Sequence, residues 1–246
     1  MRLSLSLSLA LFALTAIPVL ACAQEVVPAP ALQVGDAWVF DRTFEKGANG
    51  FSQRRVDLKV DRISADTMLV GLKLDGAPTA FMDHMIGSDW SQTRLVDGKQ
   101  TLSGRPFAFP LSVGKTWVVD FFDTNPHGLQ KTTREHTLYK VIGWESVTVP
   151  AGTFRALKIE GDGTLQAEMA PSATVVNAAG ASPSDGTAIT QVKRLPARTV
   201  TVTRHEELYY APQVKYWVKH VEEQYDSENV RTKRDTDTLV SFTPAS

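Results

Sequence analysis

One cysteine in 246 residues excludes an internal disulfide, so packing and hydrogen bonding alone must hold the fold. An excess of charge of one sign is missing too: 26 Lys and Arg stand against 27 Asp and Glu, a net charge of −1 at pH 7. That balance lacks the electrostatic footprint of a nucleic-acid binder, and no nucleic-acid partner is expected. Short basic clusters, Lys193-Arg194 and Arg231-Thr232-Lys233-Arg234, have acidic neighbours and read as solvated strand faces. Beyond residue 20 no segment is apolar enough to span a membrane, and no stretch of a dozen residues carries a helical stripe. His-x-x-x-His and Cys-x-x-Cys pairs, a Gly-x-Ser-x-Gly elbow and a Gly-rich phosphate loop are all absent. The motifs therefore point to no catalytic residue and no cofactor, and the chain is expected not to be an enzyme.

The one long apolar run lies at the start. Residues 3–20, LSLSLSLALFALTAIPVL, carry no charge, follow Arg2 and end in small residues, the layout of a signal peptide over 1–23. Export to the periplasm is the expectation. The exit, PVLACAQE, satisfies two readings. Val19-Leu20-Ala21-Cys22 resembles a lipobox, in which Cys22 is lipidated and membrane association follows. Ala21-Cys22-Ala23 equally fits a small-x-small cut that leaves a soluble, cysteine-free product, and this reading is slightly preferred. Residues 24–31 follow as a Pro/Ala-rich tether, semi-rigid through Pro28 and Pro30.

The remainder, 32–246, reads as one β domain containing an internal repeat. Leu32-Gln-Val-Gly-Asp-Ala-Trp-Val-Phe-Asp41 reappears as Leu111-Ser-Val-Gly-Lys-Thr-Trp-Val-Val-Asp120, with Gly35 matching Gly114 and Trp38 matching Trp117. Similar alternating segments follow each copy, giving related units over about 32–108 and 109–246. Each glycine is expected to mark a tight entry into the strand of its Trp. Period-two alternation runs through Val56-Leu58-Val60, Met68-Val70-Leu72-Leu74 and Val214-Tyr216-Val218. Asp97-Gly98 is a hairpin signal because both residues tolerate positive φ. The fold class is all-β: two antiparallel units in a twisted sheet, half-barrel or partly open barrel. Residues 169–190, rich in Ala, Ser, Pro and Gly, are expected to form a flexible loop.

Three stretches carry a family resemblance: Phe109-Pro-Leu-Ser-Val-Gly-Lys-Thr-Trp117, Val147-Thr-Val-Pro150-Ala-Gly152-Thr-Phe154-Arg-Ala-Leu-Lys-Ile159, and Tyr209-Tyr-Ala-Pro-Gln-Val-Lys-Tyr-Trp-Val-Lys219. Together they resemble uncharacterised exported bacterial β proteins, TapB-like and kindred families. The resemblance implies a β-rich exported domain and carries no activity. It departs at Gln213 and Lys215, where such families have glycine.

Residues able to carry chemistry are few. The histidines are His84, His127, His136, His205 and His220. His205-Glu206-Glu207 and His220-Val221-Glu222-Glu223 could meet on adjacent strands, which makes His205, His220 and Glu222 weak metal candidates beside the plainer reading of exposed strand faces. Asp83-His84 with Ser88 has hydrolase residue types without a hydrolase motif. Trp38, Trp90, Trp117, Trp144 and Trp217 read first as core filling. The sharper reading is a curved sheet whose concave face holds an apolar small molecule or lipid. The leading expectation is a non-enzymatic envelope protein of that kind. The alternatives are an interaction module for another envelope protein and, less favoured, a hydrolase or metal-dependent enzyme.

Overall fold

The computed structural model describes residues 25–47, 50–75, 82–124, 126, 128–179 and 188–245. The expected signal peptide over 1–23, Cys22 and His127 lie outside the described residues. The first meander comprises β1 (Ala37–Lys46), β2 (Gly50–Ser64), β3 (Thr67–Leu74) and β4 (Met82–Gly87). A hairpin of β5 (Gln92–Val96) and β6 (Lys99–Gly104) precedes β7 (Thr116–Thr124), β8 (Gln130–Val149) and β9 (Gly152–Met169). A ribbon of β10 (Ser172–Ala179) and β11 (Ala188–Leu195) leads to β12 (Arg198–Ala211), a 3-10 turn at Pro212–Val214, β13 (Tyr216–Tyr225) and β14 (Arg231–Thr243).

Ten strands form one open antiparallel sheet in the order β4-β3-β2-β1-β14-β13-β12-β9-β8-β7. The first and last strands of the domain pair along its middle, Ala37 opposite Thr243 through Lys46 opposite Lys233. The sheet does not close into a barrel: β4 and β7 are its edges. Residues 88–111, which follow edge strand β4 and lead to edge strand β7, pack back onto the middle strands of the sheet. The Trp117 indole on β7 donates to the Arg105 carbonyl at 2.9 Å, while Trp90, just after β4, donates to the Lys215 carbonyl at 3.0 Å. Phe107 and Leu111 from that segment are fully buried against the sheet. The densest packing lies there, with Trp38, Trp90, Tyr210, Tyr216 and Phe107 in ring contact.

The two copies of the repeated decapeptide make the same turn. Gly35 donates to the Val60 carbonyl at 2.8 Å, and Val60 returns a bond to the Asp36 carbonyl at 2.9 Å. Gly114 donates to Val141 at 2.8 Å, and Val141 returns one to Lys115 at 2.9 Å. Both glycines sit at positive φ, +103° and +83°. Backbone conformation rather than space requires glycine here, since an added Cβ at Gly114 would meet nothing within 4 Å. Each repeat tryptophan also donates its indole N–H to a distant carbonyl, Trp38 to Val214 at 2.7 Å and Trp117 to Arg105 at 2.9 Å.

Asp97 and Gly98 take φ of +48° and +77° between β5 and β6, as the hairpin signal predicts. Pro150-Ala151 joins β8 to β9, with Gly152 at φ +128° opposite Val149 and Phe154 partly buried against the core. At Lys215, where the resembling families have glycine, φ is +61°, a left-handed conformation adopted here by a lysine.

Two expectations are corrected. Residues 169–190 are not a loop throughout: Ser172–Ala179 pairs with Ala188–Leu195, apart from the main sheet. The β-branched run Thr174-Val175-Val176, paired with Lys193, Val192 and Gln191, favours extended pairing, which average composition across the stretch conceals. Residues 180–187 lie outside the described part. The expected tether at 24–31 is in part held against the domain. Val27 is buried and exchanges two 2.8 Å backbone bonds with Leu111, and Glu25 pairs with Arg155 at 2.6 Å.

Candidate ligand cleft

Alternation along the strands sends one set of side chains to the inner face, where two adjoining clefts open beneath the β5–β6 hairpin. The first, of about 300 Å³, is walled by Phe40, Leu58, Leu72, Ile86, Trp90 and Tyr216. Arg42, His84 and Asp237 also line it. The second, about 370 Å³, lies between the hairpin and strands β8, β9, β12 and β13, and is polar. Trp217 and Gln92 belong to both and form the partition between them.

A row of ionised and hydrogen-bonded side chains crosses the sheet at this level. Arg42 on β1 grips Asp237 on β14 in a two-pronged contact, at 2.6 and 2.8 Å. His220 on β13 places Nδ1 3.8 Å from Asp237 and Nε2 3.4 Å from Glu206, ion-pair distances outside hydrogen-bonding geometry. Tyr139 on β8 donates to Glu206 at 2.6 Å. Arg204 reaches Thr137 at 2.8 Å and Glu135 at 3.5 Å.

Burial opposes charge at His220, but Asp237 and Glu206 outweigh it and push its pKa up to about 9. Burial likewise opposes ionisation of Glu206, yet His220, Arg204 and Tyr139 pull its pKa down to about 2. At neutral pH the imidazole is therefore a cation clamped between two carboxylates. With protons on both nitrogens it has no lone pair with which to accept a proton, so it is not a general base in this state.

The weak metal set does not assemble. His205 points to the opposite face, where Nδ1 lies 2.7 Å from Asp162, while His220 faces inward to Glu206 and Asp237. Adjacent residues in a strand cannot share a face, so Glu206 rather than His205 is the β12 partner of His220. Glu222 lines the polar cleft and lies 3.5 Å from Lys233. Among the described residues no group of three His, Cys, Asp or Glu side chains is placed to hold a metal ion. His84 lines the apolar cleft from β4; Ser88 sits in the following turn, its amide bonded to the Asp66 carbonyl at 2.8 Å. His136 is on the exposed face, 4.0 Å from Asp120.

Trp90, 2% exposed, belongs to the core as Trp38 does. Trp38 is buried core, and Trp117 stacks on Tyr139 at 5.2 Å. Trp144 lies under the Arg155 guanidinium at 3.8 Å. Trp90 and Trp217 line the cleft. The alternation of Phe40 with Arg42, or of Asp235 with Asp237, marks a polar position on an inner face but not its partner.

No family model matches the chain, and no curated protein does. The TapB-like resemblance therefore rests on the three stretches quoted above. Among solved structures, the chain is similar to one described as a lipoprotein from Parabacteroides distasonis ATCC 8503, at 14% identity and a TM-score of 0.44, covering 89% of this chain and 100% of that one. It is also similar to one described as an exported protein with a YmcC-like fold from Bacteroides fragilis NCTC 9343, at 13% identity and a TM-score of 0.40, with coverage of 89% and 100%.

Proposed function

We propose that this chain is an exported, non-enzymatic protein of the periplasm or cell envelope that binds an apolar small molecule or lipid on the inner face of its sheet. The leader at 1–23 supports export, and the Cys22 lipobox reading would place the domain at a membrane. The observation that carries the binding reading is the cleft of about 300 Å³ walled by Phe40, Leu58, Leu72, Ile86, Trp90 and Tyr216. Residues 88–111 cover part of the inner face through Trp90 and Phe107, and the cleft lies beside them. Apolar walls with a few convergent polar groups are the usual make-up of a ligand site. The clamped state of His220 favours a structural ion row over a catalytic one.

The test is titration of the purified chain with dodecanol, followed by tryptophan fluorescence, because Trp90 and Trp217 line the cleft. A saturable change lost in Ile86→Glu supports the reading. The absence of any saturable response sinks it.

A second reading, an interaction module for another envelope protein, draws on the β7 edge. Val118 and Leu138 face each other across β7 and β8, and with Phe122 they are about half exposed, at 50%, 48% and 47%. It predicts that cross-links formed in cells from a photoreactive residue on β7 disappear in Phe122→Lys while ligand titration is unchanged.

A further inference from the structure

The apolar cleft ends at a polar one, and the groups that line the polar one are short of acceptors. Two buried N–H groups there have no hydrogen-bond partner, Arg105 Nε and Trp217 Nε1, while His220 Nε2 faces the Glu206 carboxylate at 3.4 Å. Leaving a buried donor unmade costs about 1–3 kcal/mol, so two around one cleft call for an acceptor.

The charges agree. Each carboxylate of the cleft is already engaged: Glu135 by Arg204 at 3.5 Å, Glu206 by His220 and Tyr139, and Glu222 by Lys233 at 3.5 Å and Gln224 at 2.8 Å. Two guanidinium groups are less committed. Arg94 lies over the Phe121 ring at 5.6 Å, and Arg105 reaches Asp89 at no closer than 3.5 Å. Both project from the hairpin, or its end, toward the cleft floor.

We propose that the ligand is a single-chain amphiphile with an anionic head, its chain in the apolar cleft and its carboxylate or phosphate in the polar cleft against Arg94, Arg105 and the Trp217 indole. The inference rests on the apolar-ligand reading above and adds the head group. At about 300 Å³ the apolar cleft is at the small end of ligand sites, which fits one chain and not two. The exposed Gln92 side chain, packed near Gly104, and Trp217 form the partition the chain passes.

The full chain is titrated by calorimetry with dodecanoate, dodecyl phosphate, dodecanol and inorganic phosphate, each amphiphile below its micelle concentration. Both anionic amphiphiles are expected to bind about tenfold or more tighter than dodecanol, the worth of one or two charge-assisted contacts. Arg94→Gln and Arg105→Gln are each expected to bring the anions to the level of dodecanol and to leave dodecanol unchanged. Arg94 is exposed, so its variant keeps the test open even if Arg105→Gln fails to fold. Equal binding of acid and alcohol, insensitive to both substitutions, overturns the head-group assignment and leaves the apolar reading standing. Inorganic phosphate binding as tightly as dodecyl phosphate overturns the two-part ligand in favour of a simple anion. Failure of all three amphiphiles overturns both readings.

Discussion

Tyr139 donates a 2.6 Å hydrogen bond to Glu206 although a whole strand, β9, lies between them. The residue of β9 opposite both is Gly161. With no side chain there, the Tyr139 ring crosses the strand and stacks on Trp117 at its other side. A Cβ at position 161 would stand 2.6 Å from the ring. Gly161→Ala is therefore expected to displace Tyr139, break its bond to Glu206 and destabilise the fold by about 2 kcal/mol, the usual cost of overpacking. Urea unfolding checks this. An unchanged midpoint would mean the ring has room to move.

The His220 cation should give the protein a defined pH window. Its folded pKa of about 9 lies above its ordinary 6.5, so its stabilisation is complete below pH 6.5 and is lost as pH rises through 9. Glu206, lowered from 4.5 to about 2, contributes fully above pH 4.5 and loses that contribution as pH falls through 2. Facing them are Asp237, Arg204, Glu222 and Tyr139, and the Asp237 pKa is also lowered: burial opposes this, but His220 and Arg42 dominate. Melting temperature should therefore plateau between about pH 4.5 and 6.5 and fall on either side.

Removing the cation leaves two buried carboxylates facing each other. His220→Gln is expected to cost about 3 kcal/mol at pH 6, as for one partner lost from a buried ion pair. The same substitution should flatten the alkaline limb of the pH profile. A variant that keeps the full alkaline fall would show that the limb belongs to another group.

Asp36 is fully buried and joins three parts of the chain. Its carboxylate accepts from the Gln33 amide at 2.8 Å, the Ala245 amide at 3.0 Å and the Lys215 ammonium at 2.7 Å. Asp36→Ala should cost about 3 kcal/mol, because it strands an ammonium and two amides at once. Asp36→Asn, which still accepts, should cost less. Denaturant midpoints at constant slope measure both.

Residues 25–28 should behave as part of the domain. Deleting them uncovers Leu111 and removes the buried Val27, a loss of about 1.5–3 kcal/mol. The Leu111 amide, which donates to Val27 at 2.8 Å, should lose its protection from hydrogen exchange. Retained protection would show that the strap adds nothing to this part of the fold.

Strand content, the Asp97-Gly98 hairpin and the paired Gly35 and Gly114 turns were legible because each depends on neighbours within a few residues. The repeat was legible for the same reason: matching local sequences make matching local hydrogen bonds. The ribbon at 172–195 was missed because its strand signal is short and its flanks are rich in small residues. Of the candidate site, the sequence offered His220, Glu206 and the tryptophans as residue types. It also offered His205, which period-two alternation sends to the other face.

By itself, the sequence determined an all-β chain with no internal disulfide and two copies of a glycine–tryptophan strand entry. Only the tertiary structure decided which side chains meet. Arg42 and Asp237 are 195 residues apart and touch because the first strand pairs with the last. The row from Arg42 to Tyr139 depends on the register of non-consecutive strands, and a slip of one residue would turn every member to the opposite face. The clefts depend further on residues 88–111 folding back onto the sheet. Local pattern specifies the faces of a strand; the packing of residues 88–111 against the sheet specifies what those faces enclose.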